Sequence, residues 1–444
     1  MTPGNATAQT GSEPAGPGSH IRTSVIDGGL TVVTEHMPDV LSVTMGFWVG
    51  TGSVDEPGPI AGASHFLEHL LFKGTERRSA RAIAEGVDAV GGDINAFTTK
   101  EHTAFYVRLL ASTADLGMDI LSEIIWSPAL REDELEAERQ VILEEILMHA
   151  DEPADEVHDV LNRAMYRDHA LGRDVLGLES TVKAASRQDI ADFHRLHYRT
   201  GNIVVTAAGR IDHDQVVDGI AARLEAAKAE VGPEVLLGGA PPKRSAPQAP
   251  ALRRLVENRS TEQAHILIGM PGFARDHPRR QALNVLDHIL GGGMSSRLFQ
   301  AVREERGLAY SVYSYRSGYQ GAGDFAVYAG TAPSRAAEVV RVITEELDRM
   351  AAQGPSEDEL ASAKSHIRGA TALGLEDSGA RMSRLGRAQL AHGRVPTVAE
   401  LEAEIAAVTV ADLKKVAEEV LGAPRTLVVL GPFDDDAFSD WPES

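Results

Sequence analysis

The sequence contains no cysteine and no long apolar run, and both absences limit what the protein can be. Because none of its 444 residues is cysteine, the chain forms no disulfide bonds and no thiolate–metal sites. A metal ion would therefore have to be held by His, Asp or Glu. No stretch of about 18 consecutive apolar residues occurs, so the sequence predicts no membrane-spanning helix.

Positive charge is also scarce. The chain has 43 Lys and Arg residues against 65 Asp and Glu residues, and its formal net charge is −22. An excess of negative charge repels nucleic acid and anionic membranes, so neither is an expected partner. Two interpretations of the acidic surface stay open here: a general contribution to solubility, and a preference for cationic partners such as basic peptides.

A chain of 444 residues is too long for one compact core, so we expect two or more domains. Residues 1–20 lack the apolar core of a signal peptide and the arginines of a mitochondrial presequence, and they predict a disordered tail and a cytoplasmic protein. Residues 230–252 are rich in Pro, Gly and Ala and predict a linker. This linker separates an N-terminal domain, 21–229, from a C-terminal domain, 253–436, which a second tail follows at 437–444.

The two halves of the chain resemble each other. Three pairs of segments match in the same order, with the second member about 220 residues after the first, so we infer an internal duplication. Both halves contain alternating strands and amphipathic helices. They predict an α+β fold of two homologous domains, each a mostly antiparallel sheet covered by helices. The pairs are NIVVTAAGRID (202–212) with TLVVLGPFD (426–434), FYVRLLASTADLGMDIL (105–121) with FAVYAGTAPSRAAEVV (325–340), and EDEL (132–135) with EDEL (357–360).

The segment HFLEHLL (65–71) reads as an apolar helix that carries three polar residues. His65 and His69 are four residues apart, so their side chains stack one turn apart on one face, where two imidazoles can hold a zinc ion. Glu68 lies beside them, in a position to contact a water on the metal, and the pattern is H-x-x-E-H. The alternative is a half-buried polar stripe that only packs against its neighbours, although a buried carboxylate then needs another partner.

The aligned segment of the second half, NVLDHIL (284–290), keeps the apolar positions and loses the complete polar set. Asn284 stands in place of His65, and Asp287 stands in place of Glu68. The polar stripe is therefore separable from the helix, which favours a chemical role for it in the first half.

A catalytic zinc ion needs a third protein ligand. Glu138 and Glu145 are two turns apart on one face of an acidic helix, so that Glu145 could ligate while Glu138 supports the site. The alternative is a charged face in contact with water. In the second half, Ala363 aligns with Glu138 and Ala370 with Glu145, so both carboxylates are lost together with the histidine stripe. The acidic helix is predicted at 133–153, and the candidate ligands on it are Glu136, Glu138, Glu144 and Glu145.

His65, Glu68 and His69, followed by Glu145 76 residues after His69, resemble the motif of the inverzincin peptidases. This is the family of pitrilysin, insulin-degrading enzyme and mitochondrial processing peptidase. Two further segments are similar to its processing-peptidase branch, so that the resemblance extends over most of the chain. They are HDVLNRAMYRDHALGRDVLG (158–177) and GGGMSSRLFQAVREERGLAYSVYS (291–314).

The resemblance implies roles for five residues of the first half. His65, His69 and Glu145 would ligate one Zn²⁺ per chain. Glu68 would be the general base. Glu138 would contact a metal ligand rather than the metal itself.

The resemblance also implies residues that contact the substrate. Arg303 and Tyr310 match a paired Arg and Tyr of the family that reach the peptide. From the residues alone, Arg303 would instead pair with Glu304 or Glu305 on a helix surface, and Tyr310 would be a strand core residue.

The segment GGDINAFTTK (91–100) resembles the substrate-binding edge strand of the family. Asn95 and Ala96 would occupy its peptide-contact positions. Without the resemblance, the segment is an ordinary strand after a Gly-Gly turn.

As a whole, the resemblance implies a zinc-dependent endopeptidase that hydrolyses unfolded peptides or presequence-like segments in a chamber enclosed by two clamshell halves. We expect peptide substrates, and basic ones in particular if the surplus carboxylates line the chamber. Chains of this branch associate in pairs, so we expect a homodimer or a heterodimer with a related chain. Alternatives are a non-catalytic scaffold or partner subunit of the same fold, and a metal-dependent hydrolase of non-peptide bonds.

Overall fold

The computed structural model describes residues 13–14, 20–248 and 253–442. The helices in this part of the chain are α1 (Ala63–Leu71), α2 (Ala80–Asp88), α3 (Ala114–Trp126), α4 (Glu132–Ala150), α5 (Pro153–Tyr166), α6 (Glu179–Ala184), α7 (Arg187–His197), α8 (His213–Val231), α9 (Pro233–Leu236), α10 (Arg280–Gly291), α11 (Ala336–Gln353), α12 (Glu357–Gly374), α13 (Ser378–His392), α14 (Val398–Ala407) and α15 (Val410–Val420). The strands are β1 (Glu13–Pro14), β2 (His20–Val25), β3 (Thr31–His36), β4 (Ser42–Val49), β5 (Asp93–Thr98), β6 (Thr103–Leu110), β7 (Ile203–Gly209), β8 (Arg254–Asn258), β9 (Ala264–Pro271), β10 (Ala309–Tyr319), β11 (Ala322–Thr331) and β12 (Thr426–Gly431).

The strands form two sheets of matching topology. One sheet has seven strands in the order β1-β2-β3-β7-β4-β6-β5, and the other has five in the order β10-β11-β9-β12-β8. Read from its other edge, the second sheet repeats the β3-β7-β4-β6-β5 part of the first. The only parallel pairs among the described strands, β3 with β7 and β8 with β12, occupy equivalent places in the two sheets. The predicted α+β class with mostly antiparallel sheets is therefore confirmed.

The chain folds into two compact units that do not coincide with its two halves. Unit 1 comprises residues 1–146, 174–243 and 372–400, and unit 2 comprises the rest of the chain. The contiguous domains expected at 21–229 and 253–436 differ from this division, because a helical segment of each half belongs to the unit built around the other half's sheet.

Helices α5 and α13 are the exchanged elements. In unit 2, α5 packs on β9 and β12, although it follows α4 in the N-terminal half. In unit 1, α13 packs on β3, β4 and β7. Gly386 of α13 lies so close to the Trp48 ring that an added Cβ would come within 2.1 Å of it. Arg381 of the same helix forms an ion pair with Glu35, which is fully buried in β3.

The predicted linker and the predicted C-terminal tail contain packed residues that their composition does not indicate. Most of residues 1–20 lie outside the described residues, but β1 within that range pairs with β2. In the predicted linker, Leu236 of α9 is buried in the core of unit 1. In the predicted C-terminal tail, Phe438 and Trp441 pack against the core of unit 2. In the linker and in the C-terminal segment, a few apolar side chains pack against a core, which overrides the local excess of Gly and Pro.

Within the described residues, every helix is either too short or too polar to cross a membrane.

Candidate metal centre

Helix α1 is anchored at its N-terminus and buried along most of its length. Gly62 precedes it in the left-handed region, with φ of 97°. The carboxylate of Glu56 accepts hydrogen bonds from the backbone N–H groups of Gly62 at 2.6 Å and Ser64 at 2.7 Å. A negative charge at this end stabilises the helix through the helix dipole and through the otherwise unpaired N–H groups. The apolar side chains pack into the core of unit 1, so that α1 holds the H-x-x-E-H residues on a fixed support.

Three predicted ligands, His65, His69 and Glu145, converge in unit 1. Their donor atoms lie within 4.8 Å of one another. Oε2 of Glu145 is 3.6 Å from Nε2 of His65 and 3.5 Å from Nε2 of His69. These separations are too long for good hydrogen bonds. They are close to the roughly 3.3 Å between ligand atoms of a tetrahedral zinc site with bonds of about 2.0–2.1 Å.

Two polar atoms of this cluster have no protein partner. Within the described part of the chain, Oε2 of Glu145 and Nδ1 of His65 are shielded from solvent and lack a hydrogen bond. Burial, and then the neighbouring His69, lower the pKa of His65 to about 4, so its imidazole is neutral near pH 7. A neutral imidazole and an unsatisfied carboxylate oxygen are the states in which these groups ligate a cation. The donor set therefore fits a divalent metal ion such as zinc.

The other glutamates offered by α4 do not join the cluster. Glu136 pairs with Arg139 on the same helix, and Glu144 is exposed. The helix thus combines both interpretations of the sequence, because one part of it faces water and another carries the buried Glu138 and the inward-facing Glu145.

Glu68 lies next to His69 on α1 and is held from the sheet. The hydroxyl of Thr98, the last residue of β5, donates a hydrogen bond to Oε2 of Glu68 at 2.6 Å. Burial raises the pKa of the Glu68 carboxyl, and the Thr98 hydrogen bond opposes that rise. A raised pKa makes the carboxylate a stronger base, which suits a group that accepts a proton from water.

Behind the ligands, Glu138 connects His69 to a lysine. Oε2 of Glu138 accepts a hydrogen bond from Nδ1 of His69 at 3.0 Å, because a carboxylate can only accept. Oε1 of Glu138 is 2.6 Å from Nζ of Lys73. This arrangement leaves Nε2 of His69 facing Glu145.

Asn95 and Ala96 lie on β5, at the free edge of the seven-stranded sheet. Among the described strands, β5 pairs with β6 alone, and α1 packs against both strands. The edge position expected for the 91–100 segment is therefore confirmed. Its binding of a peptide stays a prediction.

Arg303 and Tyr310 contact each other in unit 2. The Arg303 guanidinium carbon lies 4.7 Å from the Tyr310 ring centroid and 4.8 Å from the Phe299 ring centroid. Its Nη1 donates a hydrogen bond to the Tyr310 backbone carbonyl at 3.0 Å. An ion pair forms instead between Arg306 and Glu305. The interpretation of Arg303 as an ion-pair partner is therefore wrong.

Tyr310 is 78 % exposed, so the prediction of a core residue is wrong as well. The pairing of β10 with β11 shifts register between Ala309 and Ser311, so Tyr310 is the extra residue of a bulge. A bulge re-aims a side chain that simple alternation would turn inward. Arg303 belongs to a π-helical turn, Phe299–Glu304, which is a second local irregularity at the same place.

Sequence reasoning missed Thr98 and Lys73. Thr98 is 30 residues from Glu68, and its contact depends on the packing of α1 on β5. Lys73 carried a weak signal, because it lies four residues after His69, just beyond the end of α1. The sequence predicts its partner Glu138 at the site and does not indicate a cation beside that carboxylate.

The chain matches two family models. Residues 31–179 match the model described as insulinase (peptidase family M16). Residues 184–367 match the model described as the peptidase M16 inactive domain.

Sequence similarity to other proteins extends over nearly the whole chain. An uncharacterized zinc protease of Streptomyces coelicolor is 46 % identical over 415 residues, which cover 94 % of this chain and 90 % of that protein. The uncharacterized zinc protease YmxG of Bacillus subtilis is 36 % identical over 416 residues, covering 93 % of this chain and 98 % of that protein.

Solved structures share the fold at lower identity. A peptidase M16 inactive domain from Pseudomonas fluorescens has a TM-score of 0.86 at 20 % identity, covering 93 % of this chain and 98 % of that one. A protease from Helicobacter pylori has a TM-score of 0.85 at 23 % identity, covering 93 % of this chain and 99 % of that one.

Proposed function

The chain belongs to the insulinase family of peptidases, peptidase family M16, and on this premise we propose that it is a zinc-dependent endopeptidase. Its substrates would be unfolded peptides or presequence-like segments. The observation that carries the proposal is the convergence of His65, His69 and Glu145 in unit 1, with Glu68 on the same helix as the two histidines.

His65, His69 and Glu145 would hold one zinc ion per chain. Two imidazoles and one carboxylate also accept manganese or cobalt, so the choice of zinc is supported by the names of the relatives. Zinc bound in this way lowers the pKa of a coordinated water toward about 7 and polarises a carbonyl. The chain supplies three ligands, which is the number that a catalytic zinc site takes from the protein.

Glu68 would move the proton of the reaction. Its carboxylate accepts a proton from the attacking water and delivers it to the leaving amine nitrogen. The Thr98 hydroxyl occupies Oε2 of Glu68, so the proton would travel through Oε1. Holding one oxygen of the base fixes the direction in which the other points, and this orientation contributes to the rate.

Binding of the peptide is assigned to strand β5 and to unit 2. The free edge of β5 at Asn95 and Ala96 offers backbone N–H and C=O groups to an extended chain, which gives affinity with little dependence on sequence. In unit 2, the exposed Tyr310 and its neighbour Arg303 offer a hydroxyl and a cation to the peptide.

We also propose that basic peptides are preferred, because the net charge of −22 attracts cations. A homodimer or a heterodimer with a related chain, and a cytoplasmic location, stay predictions. Equal cleavage rates for basic and acidic peptides, unchanged by salt, would contradict the charge preference. The mass of the purified protein in solution tests the association.

The proposal is tested by incubating the purified full chain with a quenched, basic, unstructured peptide, with and without a chelator, and by measuring zinc per chain. We expect chelator-sensitive cleavage and one zinc per chain. Glu68→Gln should keep the zinc and lose about 10²–10⁴-fold in rate. Glu144→Gln is the matched control, since Glu144 is an exposed neighbour of Glu145 on α4. Near wild-type cleavage by Glu68→Gln would refute the assignment of the base.

A non-catalytic partner subunit is the second candidate, because residues 184–367 match the model described as an inactive domain. Bound zinc without cleavage of any unstructured peptide would favour it. If the purified chain binds no zinc and cleaves no peptide, both the peptidase proposal and the metal centre are rejected.

A further inference from the structure

We propose that Lys73 is a positioning residue of the metal centre, and this inference rests on the proposed zinc site. The Lys73 ammonium holds Glu138 in the orientation that accepts a hydrogen bond from Nδ1 of His69. Lys73 thereby fixes which nitrogen of His69 is free to ligate. The connected contacts are 2.6 Å from Lys73 to Glu138 and 3.0 Å from Glu138 to His69.

Glu138 needs such a partner because of where it lies. Its side chain is only 6 % exposed. Burying a carboxylate without a counter-charge is costly, and His69 cannot supply the charge while it ligates a metal as a neutral imidazole. Lys73 supplies it from the other side, so each oxygen of Glu138 has its own donor.

Lys73 is well placed to act through Glu138. It follows the end of α1, and its backbone N–H donates to the Leu70 carbonyl at 3.0 Å, which ties it to the helix that carries the histidines. Its side chain is 33 % exposed, so the alkyl part lies along the protein and the ammonium reaches inward to α4. The ion pair therefore connects the two helices that carry the three ligands.

The two histidines differ in how the protein fixes them. Nδ1 of His69 has Glu138 as its partner, whereas Nδ1 of His65 is buried and has no partner within the described residues. The protein thus fixes the tautomer of His69 through the Lys73–Glu138 pair and does not do so for His65. Loss of Lys73 should affect His69 specifically.

The duplicated half provides an independent observation. In the alignment of HFLEHLLFK (65–73) with NVLDHILGG (284–292), Gly292 stands in place of Lys73. Ala363 stands in place of Glu138. Both members of the pair are absent from the half that has lost the ligands, although the helices themselves remain. The pair is therefore not required to build this helix arrangement.

The experiment compares full-length Lys73→Met, which keeps the stem and removes the charge, with Lys73→Arg, which restores a charge. Lys183→Met is the matched control, since Lys183 pairs with Glu179 on the surface of the same unit. The first readout is the His69 tautomer in metal-free protein, measured by ¹⁵N NMR of labelled histidine. We expect a single Nδ1–H tautomer in the wild type and in Lys73→Arg, and a mixture in Lys73→Met.

The second readout is zinc affinity, measured by competition with a chromogenic chelator. Partners of metal-ligating histidines typically contribute 10–100-fold, so Lys73→Met should bind zinc about 10–100-fold more weakly, and Lys73→Arg should recover most of the loss. Lys183→Met should match the wild type. A pure Nδ1–H tautomer in Lys73→Met, or an unchanged zinc affinity, would overturn the proposal.

The two readouts separate this inference from the proposed function. Zinc binding without peptidase activity would reject the proposed catalysis, and the tautomer and affinity would still decide the role of Lys73. Equal unfolding midpoints of the metal-free Lys73→Met and wild-type proteins in urea would support a local effect on His69. A collapse of that midpoint in both Lys73→Met and Lys73→Arg would mean that Lys73 serves folding, and would overturn the proposal.

Discussion

Helices α1 and α4 of unit 1 and helices α10 and α12 of unit 2 are two versions of one arrangement, and only the first gathers metal ligands. In unit 2, Nη2 of Arg316 donates a hydrogen bond at 2.8 Å to Asn284, which aligns with His65. The His288 ring, aligned with His69, stacks on His366 of α12 at 4.2 Å. Hydrogen bonds and ring contacts replace the ligand cluster, so the fold does not depend on a metal at this place.

This comparison is tested most strongly by making unit 1 resemble unit 2. We expect His65→Asn to weaken zinc binding by more than about 100-fold, which is the upper range for residues that only support a ligand, and to abolish cleavage. The metal-free variant should unfold at the wild-type urea concentration, because Asn284 occupies the aligned position in a folded unit. Equilibrium zinc competition and urea unfolding are the measurements.

His366→Asn in unit 2 is the matched control for His65→Asn. It removes a histidine from α12, the counterpart of α4, and should leave one zinc per chain. Unchanged zinc affinity in His65→Asn, or a loss of zinc from His366→Asn, would contradict the placement of the metal site in unit 1.

The exchanged helices extend the comparison to folding. Leu385 of α13 is fully buried in unit 1, and Leu161 of α5 is 1 % exposed in unit 2. We expect each Leu→Ala change to cost about 2–5 kcal/mol of unfolding free energy. Hydrogen exchange should locate the damage in the sheet that the helix covers: β4 and β7 for Leu385→Ala, and β9 and β12 for Leu161→Ala. If hydrogen exchange became faster in the sheet of the helix's own half of the chain, the assignment of α5 to unit 2 and α13 to unit 1 would be contradicted.

Much of this fold could be predicted from the sequence, because the signals are local. The duplication, the buried strand β7 and the apolar helix α1 follow from periodicity and from matching segments. The exchange of α5 and α13 could not be predicted in this way. An amphipathic pattern indicates that a helix covers a sheet, and it does not indicate which of two similar sheets.

The same limit applies to the candidate site: residues with a local sequence signal could be predicted, and contacts made by tertiary packing could not. The motif predicted His65 and His69 from spacing on one helix, and the seven-residue spacing on a second helix indicated Glu145. The contacts of Lys73 and Thr98 could not be predicted, because each connects residues far apart in the chain through tertiary packing. The core prediction for Tyr310 is wrong because one extra residue in a bulge reverses the alternation on which it rests.

Acid should weaken unit 1 through a histidine outside the metal centre. His194 is buried, its Nε2–H donates to the Ile125 carbonyl at 2.9 Å, and burial lowers its pKa to about 4. The unfolded chain, with a histidine pKa of about 6.5, therefore takes up the proton first. The free energy of unfolding should fall as the pH drops from about 6.5 to 4, by at most about 3 kcal/mol from this residue.

His194→Gln, which cannot titrate, provides the comparison for this prediction. It should be less stable than the wild type at pH 7, because burial and the ring contact with Tyr198 are altered. Its deficit should shrink as the pH falls toward 4, measured by urea unfolding of metal-free proteins across that range. A deficit that stays constant would mean that His194 does not titrate in this window.

The smallest effect is expected for Arg316→Met in unit 2, and this variant tests whether Arg316 blocks a metal site in that unit. Arg316 is exposed, so losing its hydrogen bond to Asn284 should cost about 1 kcal/mol or less of unfolding free energy. If the guanidinium merely blocks a second metal site, its removal should raise the zinc content above one per chain. We expect no such rise, because only one of the three aligned ligand positions keeps its residue type, His288 in place of His69. Asn284 stands in place of His65, and Ala370 stands in place of Glu145. Metal analysis after dialysis against excess zinc distinguishes a blocked site from one whose ligands are gone.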